Sequence, residues 1–268
     1  MIEVAFLLFS SAVAVTFFIS SLLLMNLGRR LGARYLVREG TSTVTGLNAV
    51  EGAVFALMGL VLAFAISGAL QRFDERKQLI LNEANAISTA YQRLDLLEAP
   101  AGPALKSALK AYLRARIDLY QTGIGFSLWR GAEVASDDHL ARLSKLNHAI
   151  WDGAVKACAS GDQRAVCVLL LPSLNSMFDT ARSRDGANER HPPHILYVML
   201  FGLGLGGSLL AGFGMAATKN RSWVHMTIFA SALAVALFVV TDIEYPRLGL
   251  VRVDSFGHFL DAVYDQMR

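Results

Sequence analysis

Carboxylates set in apolar surroundings are the residues of this chain with the most chemistry to offer. Glu51 lies about one turn inside the apolar run Leu47–Leu70, where an acid is costly and usually faces a polar interior or a pore. Asp242 and Glu244 close another apolar run, in Thr241-Asp-Ile-Glu-Tyr-Pro-Arg-Leu-Gly. Repeated around a symmetry axis, they would make an acidic ring that attracts cations. Glu83 and Asn85, with Asn82 beside them, interrupt a well-patterned helical stripe, and Ser67 adds a hydroxyl near the end of the run that holds Glu51. Glu51, Ser67, Glu83, Asn85, Asp242 and Glu244 are therefore the candidates for an ion pathway. Plainer roles stand beside these. Glu51 can reach interfacial water or stabilise a helix N-terminus. Glu83 and Asn85 can hydrogen-bond across a bundle. Asp242 and Glu244 can pair with Arg247 or with the basic residues just after position 71.

The other motifs point away from catalysis. Phe201-Gly-Leu-Gly-Leu-Gly-Gly resembles a nucleotide loop only superficially, because it sits inside an apolar run with no strand before it. Gly202, Gly204, Gly206 and Gly207 read instead as sites of close helix packing. His191 and His194 bracket two prolines in a polar linker, and no further ligand completes a metal site there or at Cys158 and Cys167. No Ser/His/Asp, zinc-protease or phosphate-loop constellation occurs in its expected context. No enzyme activity, metal or cofactor is expected. Cys158 and Cys167 flank Ala-Ser-Gly-Asp-Gln-Arg-Ala-Val, a helix–helix turn; they are a disulfide if that turn lies in an oxidising compartment and two buried thiols if it lies in the cytoplasm.

These residues must be positioned by helices. With 54% hydrophobic residues, mean hydropathy +0.42 and 18% charge, the chain is too apolar for a soluble protein and too charged for a purely intramembrane one. Four runs are long enough to cross a bilayer, which takes about 20 apolar residues: Val4–Leu27, Leu47–Leu70, roughly His194–Ala217 and roughly Trp223–Thr241. The first lacks a basic leader and a cleavage site and reads as a retained span. Span two runs without a glycine or proline into a soluble helix, in which Phe73, Ile80, Ala84, Ile87, Tyr91 and Leu94 recur on one face. More than half of the charge lies in 71–192. That segment predicts further helices at 104–122, 137–158 and within 163–184, where Pro172 marks a kink or a start. The expected fold is an all-α membrane protein: transmembrane helices 1 and 2 with a basic loop (1–70), a helical extramembrane bundle inserted between spans two and three and continuous with helix 2 (71–192), and transmembrane helices 3 and 4 with a C-terminal tail (193–268).

Arg29, Arg30, Arg34 and Arg38 in the first short loop, and Lys219 and Arg221 in the last, place both loops in the cytoplasm by the positive-inside rule. The termini and the middle domain then lie outside it, at a bacterial inner (plasma) membrane. Arg72, Arg76 and Lys77 argue the other way, but long translocated domains weigh little in that rule. A formal charge of +3 with no clustered basic face gives no case for nucleic-acid binding.

The run Arg72-Phe-Asp-Glu-Arg-Lys-Gln-Leu-Ile-Leu-Asn-Glu-Ala-Asn-Ala-Ile-Ser-Thr-Ala-Tyr-Gln-Arg-Leu-Asp-Leu-Leu resembles the signature of a bacterial integral-membrane family, DUF4239, also called bestrophin-like. Asp242-Ile-Glu-Tyr-Pro-Arg-Leu-Gly-Leu-Val-Arg-Val-Asp resembles its second signature. Bestrophins are oligomeric anion channels, so the resemblance implies an oligomeric ion-conducting protein. Span two carries no aromatic, asparagine- and proline-containing neck motif, and the acidic candidates lean towards cations. The expected function is thus a homo-oligomeric ion channel in a lipid bilayer, with inorganic ions as its partners. A membrane sensor or scaffold with a separate signalling partner, and a small proton-coupled transporter using Glu51, are the alternatives.

Overall fold

The structure, a computed structural model, describes residues 2–39, 44–121, 133–159, 164–217, 223–246, 249–253 and 256–267. Its regular elements are helices, with no strand among the described residues: α1 (Ile2–Glu39), α2 (Val44–Arg93), α3 (Ala101–Gln121), α4 (Glu133–Cys158), α5 (Arg164–Glu189), α6 (His194–Gly214), α7 (Trp223–Glu244) and α8 (His258–Gln266). Four stretches, containing α1, α2, α6 and α7, are long and apolar enough to cross a membrane. Arg247, Lys219 and Arg221 lie outside the described residues.

The helices group into two compact units. The first comprises residues 1–73 and 191–252. In it α1 lies against α6 at backbone distance. A Cβ on Gly28 would lie 2.0 Å from the Leu209 carbonyl oxygen, and one on Gly212 would lie 2.0 Å from that of Met25, so only glycine permits the approach. Gly204 also abuts a neighbour, the Phe17 ring, and Gly207 faces Phe55 and Met58, whereas a Cβ on Gly202 or Gly206 would have none of the described residues within 4 Å. Phe17, Val61, Ala65, Leu200, Leu237 and Val240 form the apolar centre. The outward faces carry large exposed apolar side chains such as Leu8, Leu23, Ile195 and Val224, as helix surfaces bathed in lipid do.

The second unit comprises residues 74–190 and 253–268. Here the stripe read on the second half of α2 is the buried face: Ile80, Ala84, Ile87 and Leu94 are all enclosed. Ala84, Ile87 and Leu94 share one core with Leu109 and Leu113 of α3, Ile150 of α4 and Leu170, Leu174 and Met177 of α5. Each such side chain, fully buried, contributes about 1.5–3 kcal/mol. Helix α4 begins at Glu133, a turn earlier than the expected 137, and α5 passes through Pro172 and continues to Glu189. Proline there removes the backbone donor that would serve the Val168 carbonyl and crowds the preceding turn; Arg93 Nη1 gives a 2.7 Å hydrogen bond to the next carbonyl, that of Leu169. Cys158 and Cys167 form a disulfide that clamps the α4–α5 turn.

The C-terminal segment is an addition that hydropathy did not foresee. Leu260 and Met267 are buried in the bundle core. The Lys110 ammonium donates to the Met267 carbonyl and lies 5.2 Å from the Tyr264 ring centre. The tail after α7 therefore completes the second unit.

Candidate functional site

The helix α2 sorts the candidate residues by face. Exposed residues recur along it at steps of three and four: Ala49, Ala53, Ala56, Leu60, Ala63 and Ser67, then Gln71, Asp74, Gln78, Asn82, Asn85 and Thr89. Ser67 lies on the exposed face of α2 in the first unit and Asn85 on its exposed face in the second. The first half of the stripe is small or apolar; the second is hydroxyl and amide, with Asp74 its only carboxylate, held 2.9 Å from Lys77. Glu51 and Glu83 point the opposite way, into their units.

Glu51 rests on the last turn of α6. A Cβ at Gly214 would lie 2.6 Å from its Oε2, so the glycine clears the seat for the carboxylate. Glu83 is completely buried between three helices of the second unit. Its Oε1 accepts a 2.7 Å hydrogen bond from Arg116 Nε of α3, and its Oε2 accepts one of 2.5 Å from Arg184 Nη1 of α5. Arg116 Nη1 donates in turn to both carboxylate oxygens of Asp185, at 3.1 and 2.9 Å. Charge-assisted bonds of this kind are the strong ones, and together they satisfy a buried acid that would otherwise be very costly. Burial pushes the nearby Tyr112 hydroxyl up to about 12; Arg116 opposes the shift and Glu83 adds to it. Arg76, also buried, donates to the carbonyls of Ala187 (3.3 Å) and Arg190 (2.9 Å), which caps the C-terminal end of α5 with a cation.

Asp242 and Glu244 stand at the end of α7 in the first unit, both buried. Glu244 Oε2 accepts from Arg72 Nε at 2.9 Å and Nη2 at 2.6 Å. Its Oε1 lies 3.2 Å from His191 Nδ1, and the His191 ring stacks on Tyr245 with centres 4.9 Å apart. Asp242 folds the chain back on itself: Oδ1 accepts from the Leu250 backbone N–H at 2.7 Å and Oδ2 from that of Val251 at 3.0 Å. Gly249 makes this possible, since a Cβ there would lie 2.3 Å from Asp242 Oδ1. The pairing with Arg72 was open in the sequence. The partners of Glu83, the role of His191 and the turn held by Asp242 were not read there.

Beside the open face of α2 in the second unit, two adjoining grooves of about 390 and 480 Å³ run between α2 and α5. They share Asn82, Pro172, Ser176 and Thr180, and Asn85 and Thr89 line the second. Their walls offer amides and hydroxyls, with Asp179 on the first and Arg93 on the second. Among the described residues no cluster of His, Cys, Asp and Glu is placed to hold a metal ion.

The family model of the Bestrophin-like domain matches residues 15–255. The chain belongs to the Bestrophin-like family. Its fold is also that of solved bacterial relatives. A crystal structure of a bacterial bestrophin homologue from Klebsiella pneumoniae superposes with a TM-score of 0.67 at 14% identity, covering 94% of this chain and 97% of that one. A tryptophan-to-alanine variant of the homologue gives 0.68 at 17% identity, over 95% and 97% of the two chains. Identities this low establish the shared fold alone. No curated protein matches this Bestrophin-like chain by sequence.

Proposed function

We propose that this protein is one subunit of a homo-oligomeric ion channel whose pore is lined by the open face of α2. The observation that carries the reading is the exposed stripe that α2 presents in each unit. In its first half the residues are mostly small, as they must be where several copies of one helix approach an axis. From Ser67 to Thr89 the same face becomes polar and nearly uncharged, which suits a wet passage or vestibule. The bestrophin-like fold supports a channel by analogy, with function still to be argued from the site.

Selectivity in this reading leans weakly to cations. Asp74 would repeat around the axis, whereas Asp242, Glu244 and Glu83 are engaged within the subunit and Glu51 faces α6. Arg29, Arg30 and Arg34, expected in a loop but found in the last turns of α1, and the disulfide between α4 and α5 both favour a second unit outside the cytoplasm.

Conductance of the purified protein in planar bilayers tests the proposal. Currents above empty-membrane controls are expected, and a positively charged thiol reagent should reduce them in Ser67→Cys and Asn85→Cys but not in Gly202→Cys. Silence across several salts and voltages would remove the channel. Currents untouched by modification at Ser67 would remove α2 as its lining.

A further inference from the structure

We propose that the end of α1 is a docking surface for anionic phospholipid headgroups, read by Arg30 and Arg34. The helix does not stop where its apolar span ends at Leu27 but continues to Glu39. Its exposed face repeats at steps of three and four through Phe9, Ala12, Thr16, Ile19, Leu23 and Leu27. Arg30 and Arg34 are the next two members of the same series, both exposed, with Leu31 exposed between them. A lipid that lays its acyl chain along the apolar part of this stripe therefore presents its headgroup to the two guanidinium groups.

Depth agrees with that placement. At about 1.5 Å per residue, Arg30 lies about 5 Å and Arg34 about 10 Å beyond Leu27 along the axis. The headgroup layer on each side of the hydrocarbon is roughly 5–8 Å thick, and arginine side chains extend to reach it. Trp223, exposed at the first turn of α7, is the kind of side chain that sits at this level. The opposite face of α1 is fixed: Gly28 meets Leu209 of α6, and a Cβ on Gly32 would lie 2.7 Å from the Phe213 carbonyl. The extension is thus held in place, while among the described residues no carboxylate pairs with Arg30 or Arg34. Planar guanidinium groups bind phosphate through two parallel hydrogen bonds, which favours a phosphodiester over a neutral surface.

The proposal rests on α1 crossing a membrane and is independent of whether the protein conducts ions. Each arginine near an anionic surface contributes roughly fivefold to binding, so the pair is expected to favour anionic over zwitterionic lipid by roughly thirtyfold. The purified full-length protein in detergent is titrated with phosphatidylglycerol or phosphatidylcholine, and bound lipid is counted by native mass spectrometry. The wild type should prefer phosphatidylglycerol. Arg30→Gln/Arg34→Gln should lose most of that preference, whereas Arg30→Lys/Arg34→Lys retains part and Lys145→Gln, exposed in the second unit, retains all. Equal retention of the two lipids by the wild type, or an unchanged preference in the glutamine variant, would overturn the proposal. So would inorganic phosphate that competes as well as the lipid, because the site would then read a free anion. If the glutamine variant does not fold, the wild type decides the matter in high salt: a preference that fails to weaken overturns the assignment.

Discussion

Replacing Glu83 by glutamine tests most directly whether the second unit is held by its buried charges. The carboxylate is 0% exposed, and the two arginines on it are 3% and 5% exposed. Glutamine keeps the volume and one acceptor but leaves two guanidinium groups facing a neutral amide. Asp185 compensates Arg116 in part, and it is itself 47% exposed. Removing one member of a buried ion pair costs roughly 3–5 kcal/mol, because the remaining charge is stranded. For a protein of this size that corresponds to a fall in Tm of roughly 10–15 °C. Asp185→Asn removes a partly solvated partner and should cost under about 1 kcal/mol. Replacing Glu83, Arg116 and Arg184 together by leucine and methionine should recover most of the loss, since it strands no charge. The assay is thermal unfolding in detergent followed by circular dichroism. If Glu83→Gln melts within a few degrees of wild type, or no lower than Asp185→Asn, the network does not hold the bundle as argued.

Three further outcomes are expected. Cys158→Ser/Cys167→Ser should lower stability by roughly 2.5–3 kcal/mol, the chain-entropy value for a closed loop of about ten residues, and dithiothreitol should lower the wild-type Tm equally while leaving the variant unmoved; once reduced, the thiols should react with a membrane-impermeant maleimide applied from outside. Gly28→Ala should prevent accumulation of folded protein, because its new Cβ would meet a backbone oxygen at 2.0 Å, while Gly202→Ala, with open space around it, should be neutral in an expression and size-exclusion comparison. The Tyr112 hydroxyl, about 10 in the unfolded chain and about 12 when folded, stabilises the fold below pH 10 relative to above pH 12; wild type should therefore lose roughly 3 kcal/mol more than Tyr112→Phe as pH rises through that window in urea titrations.

The helices and their buried faces were legible because they depend on local pattern. Spans at 194 and 223 begin where hydropathy puts them, and Ile80, Ala84, Ile87 and Leu94 face the core as their spacing requires. The disulfide needed the fold, since spacing could not say whether the two Cα atoms approach. Charge pairing was harder still, yet a signal existed. Arg116 follows Leu109 and Leu113 in helical phase, Arg184 follows Met177 and Ala181, and Glu83 sits between Ile80 and Ile87. A charge on the core phase of an amphipathic helix demands a partner on another helix, and three such charges in one segment predict one another. Two features had no comparable signal. The helix α8 is too short to show a periodicity, and the turn held by Asp242 depends on backbone donors that carry no sequence mark.

The placement of these charges separates what the family signatures specify from what they leave open. Arg72 and Arg76 in the first signature hold the end of α7 and the end of α5; Glu83 joins α2 to α3 and α5. In the second, Asp242 and Gly249 form the turn that leads out of α7, and Glu244 returns to Arg72. Such residues fix elements within each unit, and nearly all are turned away from the open face of α2. A chain could therefore keep these pairing residues of both signatures while the exposed residues of α2 vary, some of them inside the first signature (Asp74, Asn82, Asn85), and with them the ion preference of the proposed channel. The two sets should separate experimentally. Substitutions at Ser67, Asp74 or Asn85 should alter permeation at little cost in stability, whereas substitutions at Arg72, Glu83 or Glu244 should lower stability and leave the selectivity of whatever folds unchanged. A selectivity change from Glu244→Gln with an unaltered Tm would place that acid on the ion path and reverse the assignment.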